Sequence, residues 1–310
     1  MNLSVFAQVL WSSIAFSTFY VLLSVAFALY LKITKVWNFT QAGLFSVGYF
    51  FIYGAHRIFA LPAWLSIAAA ILLVAALAMA IEHFGFRTLR RRRSPTLVYF
   101  ILSFMIAEFL IYFVTLLAGA QPQSLSASIF VPSTPVFGVL VTSWDGGALL
   151  TVAVLLLALL ALSRTTIGRK MVAVADNASL AELFRIRPER IYLATAALSA
   201  VLIVAAAWLF GTKSVAVPAS SLDLIFIAVI SCILGGVGSL AGAAVAAVVL
   251  SILKGFSIFI VPSIWQNALV YYALVLVVVF FPNGVRLPPR WPSWLPALRP
   301  APIEPKVAQK

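Results

Sequence analysis

Long apolar runs recur along the chain, most of them close to the ~20 residues an α-helix needs to cross a hydrocarbon layer of ~30 Å. They are Phe6–Leu31, Trp37–Gly54, Leu61–Ile81, Leu97–Gly119, Gly147–Leu162, Ile191–Gly211, Leu222–Ile233, Leu240–Leu253 and Ile264–Phe281. In lipid a backbone must satisfy its own polar groups, so runs of this length read as helices. The chain is therefore expected to be all-α, a polytopic helical membrane protein with about nine transmembrane or half-membrane helices. Composition agrees, since 64% of the 310 residues are apolar and 9% charged, with a mean hydropathy of +1.11. Residues 1–285 form one transmembrane domain, and 286–310 a Pro-rich tail, too rich in proline to be a folded unit.

Charge sets the orientation. Of 21 Lys and Arg, all but Arg57, Lys213 and Lys254 fall on one side if the N-terminus is outside and the C-terminus in the cytoplasm. The net charge of +13 thus follows the positive-inside rule rather than pointing to nucleic acid. The strongest marker is Arg87 with Arg90–Arg93, read as one short cytoplasmic loop, where anionic lipid is the ordinary neighbour. The first residues, MNLSVFAQVLW, lack a basic start and a small-residue cleavage site, so the first span is expected to be retained. One cysteine, Cys232, excludes a disulfide framework and a Cys-rich metal site.

Four places depart from plain span chemistry. Asn38, Thr40, Gln41, Gly43 and Gly48 interrupt the second run, which is tolerable at membrane depth only inside protein or beside a watery path. Glu108 is the one acid well inside a predicted span, a functional candidate or an interhelical hydrogen-bonding group. Leu222–Ile233 and Leu240–Leu253 are short and joined by LGGVGS, whose Gly235, Gly236 and Gly238 allow a sharp turn or close helix packing. Paired half-length helices of this kind build sites or gates in mid-membrane, and the pair either spans twice or re-enters. The fourth is 166–192, a cytoplasmic loop with an apolar stripe of Met171, Val174, Leu180, Leu183, Phe184 and Ile186. Asn177 is placed to cap a second short helix there and Pro188 to end it. A mere connector needs no such stripe, so a protein partner on this side explains it.

Catalytic groups are sparse. The chain has no GxxxxGK[ST] phosphate loop. His56 and His83 lie far apart near span ends, which argues against zinc hydrolysis, and neither stands beside a serine. A pore driven by another protein's energy remains.

Four stretches carry a family likeness: GRKMVAVADNASLAELFRI (168–186), VWNFTQAGLFSVGYF (36–50), CILGGVGSLAGAAVAAVVL (232–250) and LVLVVVFFPNGV (274–285). They resemble the coupling loop, polar second span, LGGxGSxxGAxxG segment and closing LRPxGLFG of the branched-chain amino acid permease family of ABC importers. The resemblance implies a membrane subunit of the bacterial inner membrane, not itself an enzyme. It would pair with a second related permease as a heterodimer, with two cytoplasmic ATPase subunits and with an external or periplasmic substrate-binding protein. No cofactor would sit in this chain, ATP-Mg being held by the ATPases. Carried over, Gly168, Arg169, Ala175, Asp176, Ala178, Ala181 and Leu183 belong to the ATPase-coupling segment. Asn38, Thr40, Gln41, Gly235, Gly236 and Ser239 line or shape the translocation path, with Glu108 the acidic candidate beside them. Three features depart from the family pattern: Thr40-Gln41-Ala42 in place of the usual Ala-His-Gly, Arg185 in place of the loop's glycine, and the arginine run with its long tail. The implied activity is ATP-driven uptake of a small polar organic solute such as a branched-chain amino acid, amide, urea or organic acid. A secondary transporter or channel working without an ATPase is the alternative.

Overall fold

In a computed structural model, described for residues 3–125, 133–136, 139–259 and scattered positions between 262 and 279, helix dominates. The axis is α1 (Leu3–Thr34), whose second half is apolar on every side and sealed from solvent, as at Leu22, Leu23, Val25 and Ala26. A helix apolar all round belongs inside. It ends at Lys35, which takes φ 59°, and the chain then turns back into the bundle without regular structure as far as Asn38. There α2 (Thr40–Tyr53) begins, continued by a π-helical turn, Gly54–Ile58.

Around this centre stand α3 (Ala63–Ala80), α5 (Thr96–Ala118) and α6 (Ser143–Arg164). Their outward faces carry large exposed apolar side chains, among them Leu72, Phe109, Leu116 and Leu157, which suits contact with lipid. Helix α3 does not stop at the expected Ile81. A π-helical stretch, Ile81–Phe86, carries it on into α4 (Arg87–Arg91), so most of the arginines expected in a loop sit on the last turns of a helix. The turn follows at Arg93, with φ 51°.

Beyond α6, two short helices, α7 (Thr166–Asp176) and α8 (Ala178–Leu183), lead into α9 (Pro188–Lys213), which packs back along α1. Helices α10 (Ser220–Leu234) and α11 (Leu240–Phe256) form a hairpin whose arms both lie against α1. Six described helices are long and apolar enough to cross a membrane, while α2 and α10 are shorter. Eight of the nine expected stretches thus coincide with helices. The ninth, Ile264–Phe281, falls mostly, and the tail wholly, outside the described residues. A feature the sequence did not announce is an antiparallel ribbon of β1 (Ser133–Val136) and β2 (Val139–Thr142), Ser133 pairing with Thr142.

Lys32, Arg87–Arg93, Arg164, α7 and α8 cluster at one end of the bundle, here the arginine end. At the far end Asp145 is buried, pairs with Lys213 and accepts hydrogen bonds from Trp11 Nε1 (3.0 Å) and Thr142 N (3.1 Å). One residue thereby ties α1, α6 and α9 together. It also accounts for Lys213, a cation that breaks the positive-inside pattern but has its counterion at hand.

Candidate functional site

The α7–α8 segment is built by local hydrogen bonding before any packing. Thr165 Oγ1 accepts from Gly168 N (3.2 Å) and caps α7, and Asn177 Oδ1 accepts from Leu180 N (3.0 Å) and caps α8, as expected. A Cβ on Gly168 would run into the Leu162 carbonyl, so only glycine permits this return after α6. The end of α8 corrects the sequence reading. Pro188 does not end it but opens α9, at the position where a missing N–H costs nothing. Helix α8 closes at Leu183, where Ile186 N donates to Ala181 O (3.1 Å) and Arg185 N to Glu182 O (2.9 Å) around a left-handed Arg185. This Schellman arrangement favours glycine at the position Arg185 holds.

The expected apolar stripe divides in two. Met171, Val174, Ala175 and Ala181 face inward, forming a small core with Leu29 and Ile33 of α1 and with Ile191 and Tyr192 of α9. Leu180, Leu183 and Phe184 face out, Leu183 being 79% and Phe184 73% exposed, with Arg169 and Asp176 exposed beside them. Of the residues expected to dock a partner, Gly168, Ala175 and Ala181 are buried supports, Ala178 is half-buried, and Arg169, Asp176 and Leu183 form surface. Exposed apolar side chains grouped on a polar-rimmed platform mark an interaction surface.

The polar second segment is buried in protein. Asn38 Oδ1 accepts from Thr40 N (3.0 Å), and Ser103 of α5 takes the Phe39 N–H (3.2 Å) and donates to the Trp37 carbonyl (3.2 Å). Gly43 makes this fit possible, because a Cβ there would lie 2.8 Å from Leu110 Cβ. Among the described residues neither polar atom of Gln41 has a hydrogen-bond partner, although both are buried. Asn38, Thr40 and Gln41 border a cavity of about 10 Å³, the lower limit for a single water. All three are buried inside the bundle.

Gly235, Gly236 and Ser239 lie together at one end of the α10–α11 hairpin. They form the α10–α11 turn, with Gly236 at φ 88° and Gly238 at φ 90°, Gly238 lying beside Lys32 at the arginine end. Ser239 Oγ caps α11 by accepting from Gly242 N (3.0 Å). The backbones of Gly235 and Gly242 touch so closely that a Cβ on either would strike the other. Leu240, just past the turn, packs on the α7 core. Glu108 is half-buried on α5, apart from these residues, and makes no hydrogen bond or ion pair among the described residues.

The acid that sequence reasoning missed is Glu82. It is 2% exposed, accepts a hydrogen bond from Tyr30 Oη and pairs with Arg90. Placing the end of the span at Ile81 hid it. At the far end, a cavity of about 550 Å³ between α1, α10 and α11 is bordered by Ser12, Ser13, Tyr20, Ser251, Asp223 and Lys254. It joins one acid and one base in a mainly apolar wall.

Buried polar segments inside a bundle of membrane-length helices, with a capped two-helix platform at one end, define an integral-membrane transport subunit. A family model described as "Branched-chain amino acid transport system / permease component" matches residues 9–279, and the chain belongs to that family. It is 24% identical over 294 residues to the high-affinity branched-chain amino acid transport system permease protein LivH of Salmonella typhimurium and of Escherichia coli. It is 23% identical over 298 residues to BraD, the like-named permease protein of Pseudomonas aeruginosa. In each case 90% of this chain and 95% of the relative are covered. No solved structure gives a significant match. The chain is thus an ABC-type permease, a multi-pass protein of the bacterial inner membrane.

Proposed function

We propose that this chain is half of the translocation path of an ATP-driven importer of small polar organic solutes, and that α7–α8 is the part moved by a cytoplasmic ATPase. The observation that carries the reading is the division of the α7–α8 stripe. One half is rooted in α1 and α9. The other half presents Leu180, Leu183 and Phe184 to a partner. A rigid platform rooted in the central helices passes on a push because packed interfaces shift between discrete arrangements. ATP-Mg belongs to the ATPases, and the arginine end faces the cytoplasm.

Among candidate solutes the far-end cavity favours an amino acid. Lys254, which donates to Tyr20 Oη (3.4 Å), and Asp223, which accepts from Tyr271 Oη (2.7 Å), give this cavity one charge of each sign, in keeping with a zwitterion, while Phe16, Leu224 and Ile227 give an apolar wall in keeping with an aliphatic side chain. Amides, ureas and organic acids share part of this chemistry and remain within the proposed class. Glu108, half-buried on α5, suits a path completed by a second, related permease subunit. A periplasmic binding protein would deliver the solute.

Uptake of radiolabelled leucine into proteoliposomes holding the full complex tests this. We expect uptake that stops when the ATPases are made catalytically dead. Uptake that persists with dead ATPases would overturn the ABC reading in favour of a secondary transporter.

A further inference from the structure

A second, smaller cavity lies at the arginine end, between the helix formed by α3 and α4 and the start of α9. It holds about 280 Å³, just below the usual range of ligand pockets, ~300–1,000 Å³. Arg87, Arg90, Arg187 and Arg190 border it, against two carboxylates, Glu82 and Glu189. Both carboxylates are engaged. Glu82 is held by Arg90 and Tyr30, and Glu189 by Arg87 (2.5 Å) and Arg91 (3.8 Å).

Even so, donor capacity on the guanidinium groups exceeds what the two carboxylates take up. Arg87 Nε and Arg90 Nη1 are buried without hydrogen-bond partners, and Arg187 and Arg190 make no ion pair among the described residues. Arg90 is fixed from above by the Tyr192 ring, 4.2 Å away. A buried N–H of an arginine is costly to leave unpaired, so four guanidinium groups around one cavity call for an anion with several acceptor oxygens. The rim adds a direction. His83 borders the cavity and packs edge-on against Phe84 (5.0 Å), a ring 76% exposed on the outward face of the helix.

We propose that this cavity binds a phosphate group, presented either by the headgroup of an anionic lipid or by soluble phosphate. An arginine fork pairs with carboxylate and phosphate alike, but a carboxylate has only two oxygens, whereas a phosphate group has more and can serve several arginines at once. The geometry favours the lipid. Basic pockets at this end of membrane helices sit at headgroup depth, and Phe84 lies where an acyl chain would run away from the cavity.

Full-length protein in nanodiscs of phosphatidylcholine, with and without a minor fraction of phosphatidylglycerol, supplies the test, with apparent unfolding midpoint and lipid retained in native mass spectrometry as readouts. Phosphatidylglycerol is expected to raise the midpoint and to stay bound. Arg187→Gln and Arg190→Gln, both exposed and outside any ion pair, should leave the midpoint in phosphatidylcholine unchanged. Each should weaken lipid retention about tenfold, the value of one charge-assisted hydrogen bond. A parallel titration in detergent with inorganic phosphate, against chloride at matched ionic strength, separates the sources. Stabilisation by phosphate but not by phosphatidylglycerol keeps the site and assigns it to a soluble ligand. If neither anion stabilises the protein, or the two variants keep the full effect, the proposal is overturned.

Discussion

Arg185 is the residue at which chain and conformation disagree most plainly. Its φ of 60° costs an L-residue about 1–2 kcal/mol, yet the turn at the end of α8 requires it. Arg185→Gly removes that strain while adding chain entropy of about 0.5–1 kcal/mol, so the net effect should lie between neutral and ~1 kcal/mol stabilising. Arg185→Val, branched at Cβ, should destabilise by more than 1 kcal/mol, since φ > 0 is a genuine outlier for such residues. Hydrogen exchange at the Ile186 amide, which closes the motif on Ala181, reads both changes directly. The sequence showed where glycine was missing, but whether the backbone kept the left-handed turn was settled by the hydrogen bonds of Ile186 and Arg185. Glu82 was illegible for the opposite reason. Hydropathy ends a span where polar residues begin, whereas the helix continues through them to Arg91 and draws the carboxylate inward.

At the scale of the element, α7–α8 and the α10–α11 hairpin carry the functional argument. Periodicity located the first, and Asn177 was read correctly as a cap from its residue type. Periodicity could not divide the stripe of α7–α8, because which half meets α1 depends on the crossing of helices distant in sequence. The division yields a contrast. Leu183→Asp changes only surface and should leave the fold intact while weakening stimulation of ATPase activity by substrate-loaded binding protein in the full complex. Ala181→Glu places a carboxylate inside the small core of Met171, Val174 and Tyr192. Burying an uncompensated charge costs several kcal/mol, so this variant should lower the unfolding midpoint as well as activity. Equal midpoints for the two variants would contradict the assignment of faces. The hairpin was legible from its glycines, but its depth was not. Glycine spacing announces a turn and says nothing of the level at which neighbouring helices hold it.

For the whole molecule, orientation is the prediction to make. The arginine end should be cytoplasmic and the β1–β2 ribbon external. Cys232, the one cysteine in the chain, is fully buried, so single cysteines can be introduced against a silent background. Leu183→Cys should react with a membrane-impermeant maleimide only in inside-out vesicles, and Thr134→Cys only in intact spheroplasts. The opposite pattern would reverse the topology. That the chain is a polytopic helical bundle was readable from sequence, because lipid demands long apolar helices, and six such helices stand among the described residues. Which helix stands at the centre was not, since the near-complete burial of α1 and α2 arises only when their neighbours close around them.

The tip of the α10–α11 hairpin packs through Leu240 on the small core under α7, and inside the hairpin the backbones of Gly235 and Gly242 touch. From there α11 runs 17 residues, roughly 25 Å of stiff rod, and carries Lys254 in its last turn at the rim of the opposite cavity. On the function proposed above, this rod is an unbroken helical link from the ATPase-facing platform to the cavity at the other end of the bundle.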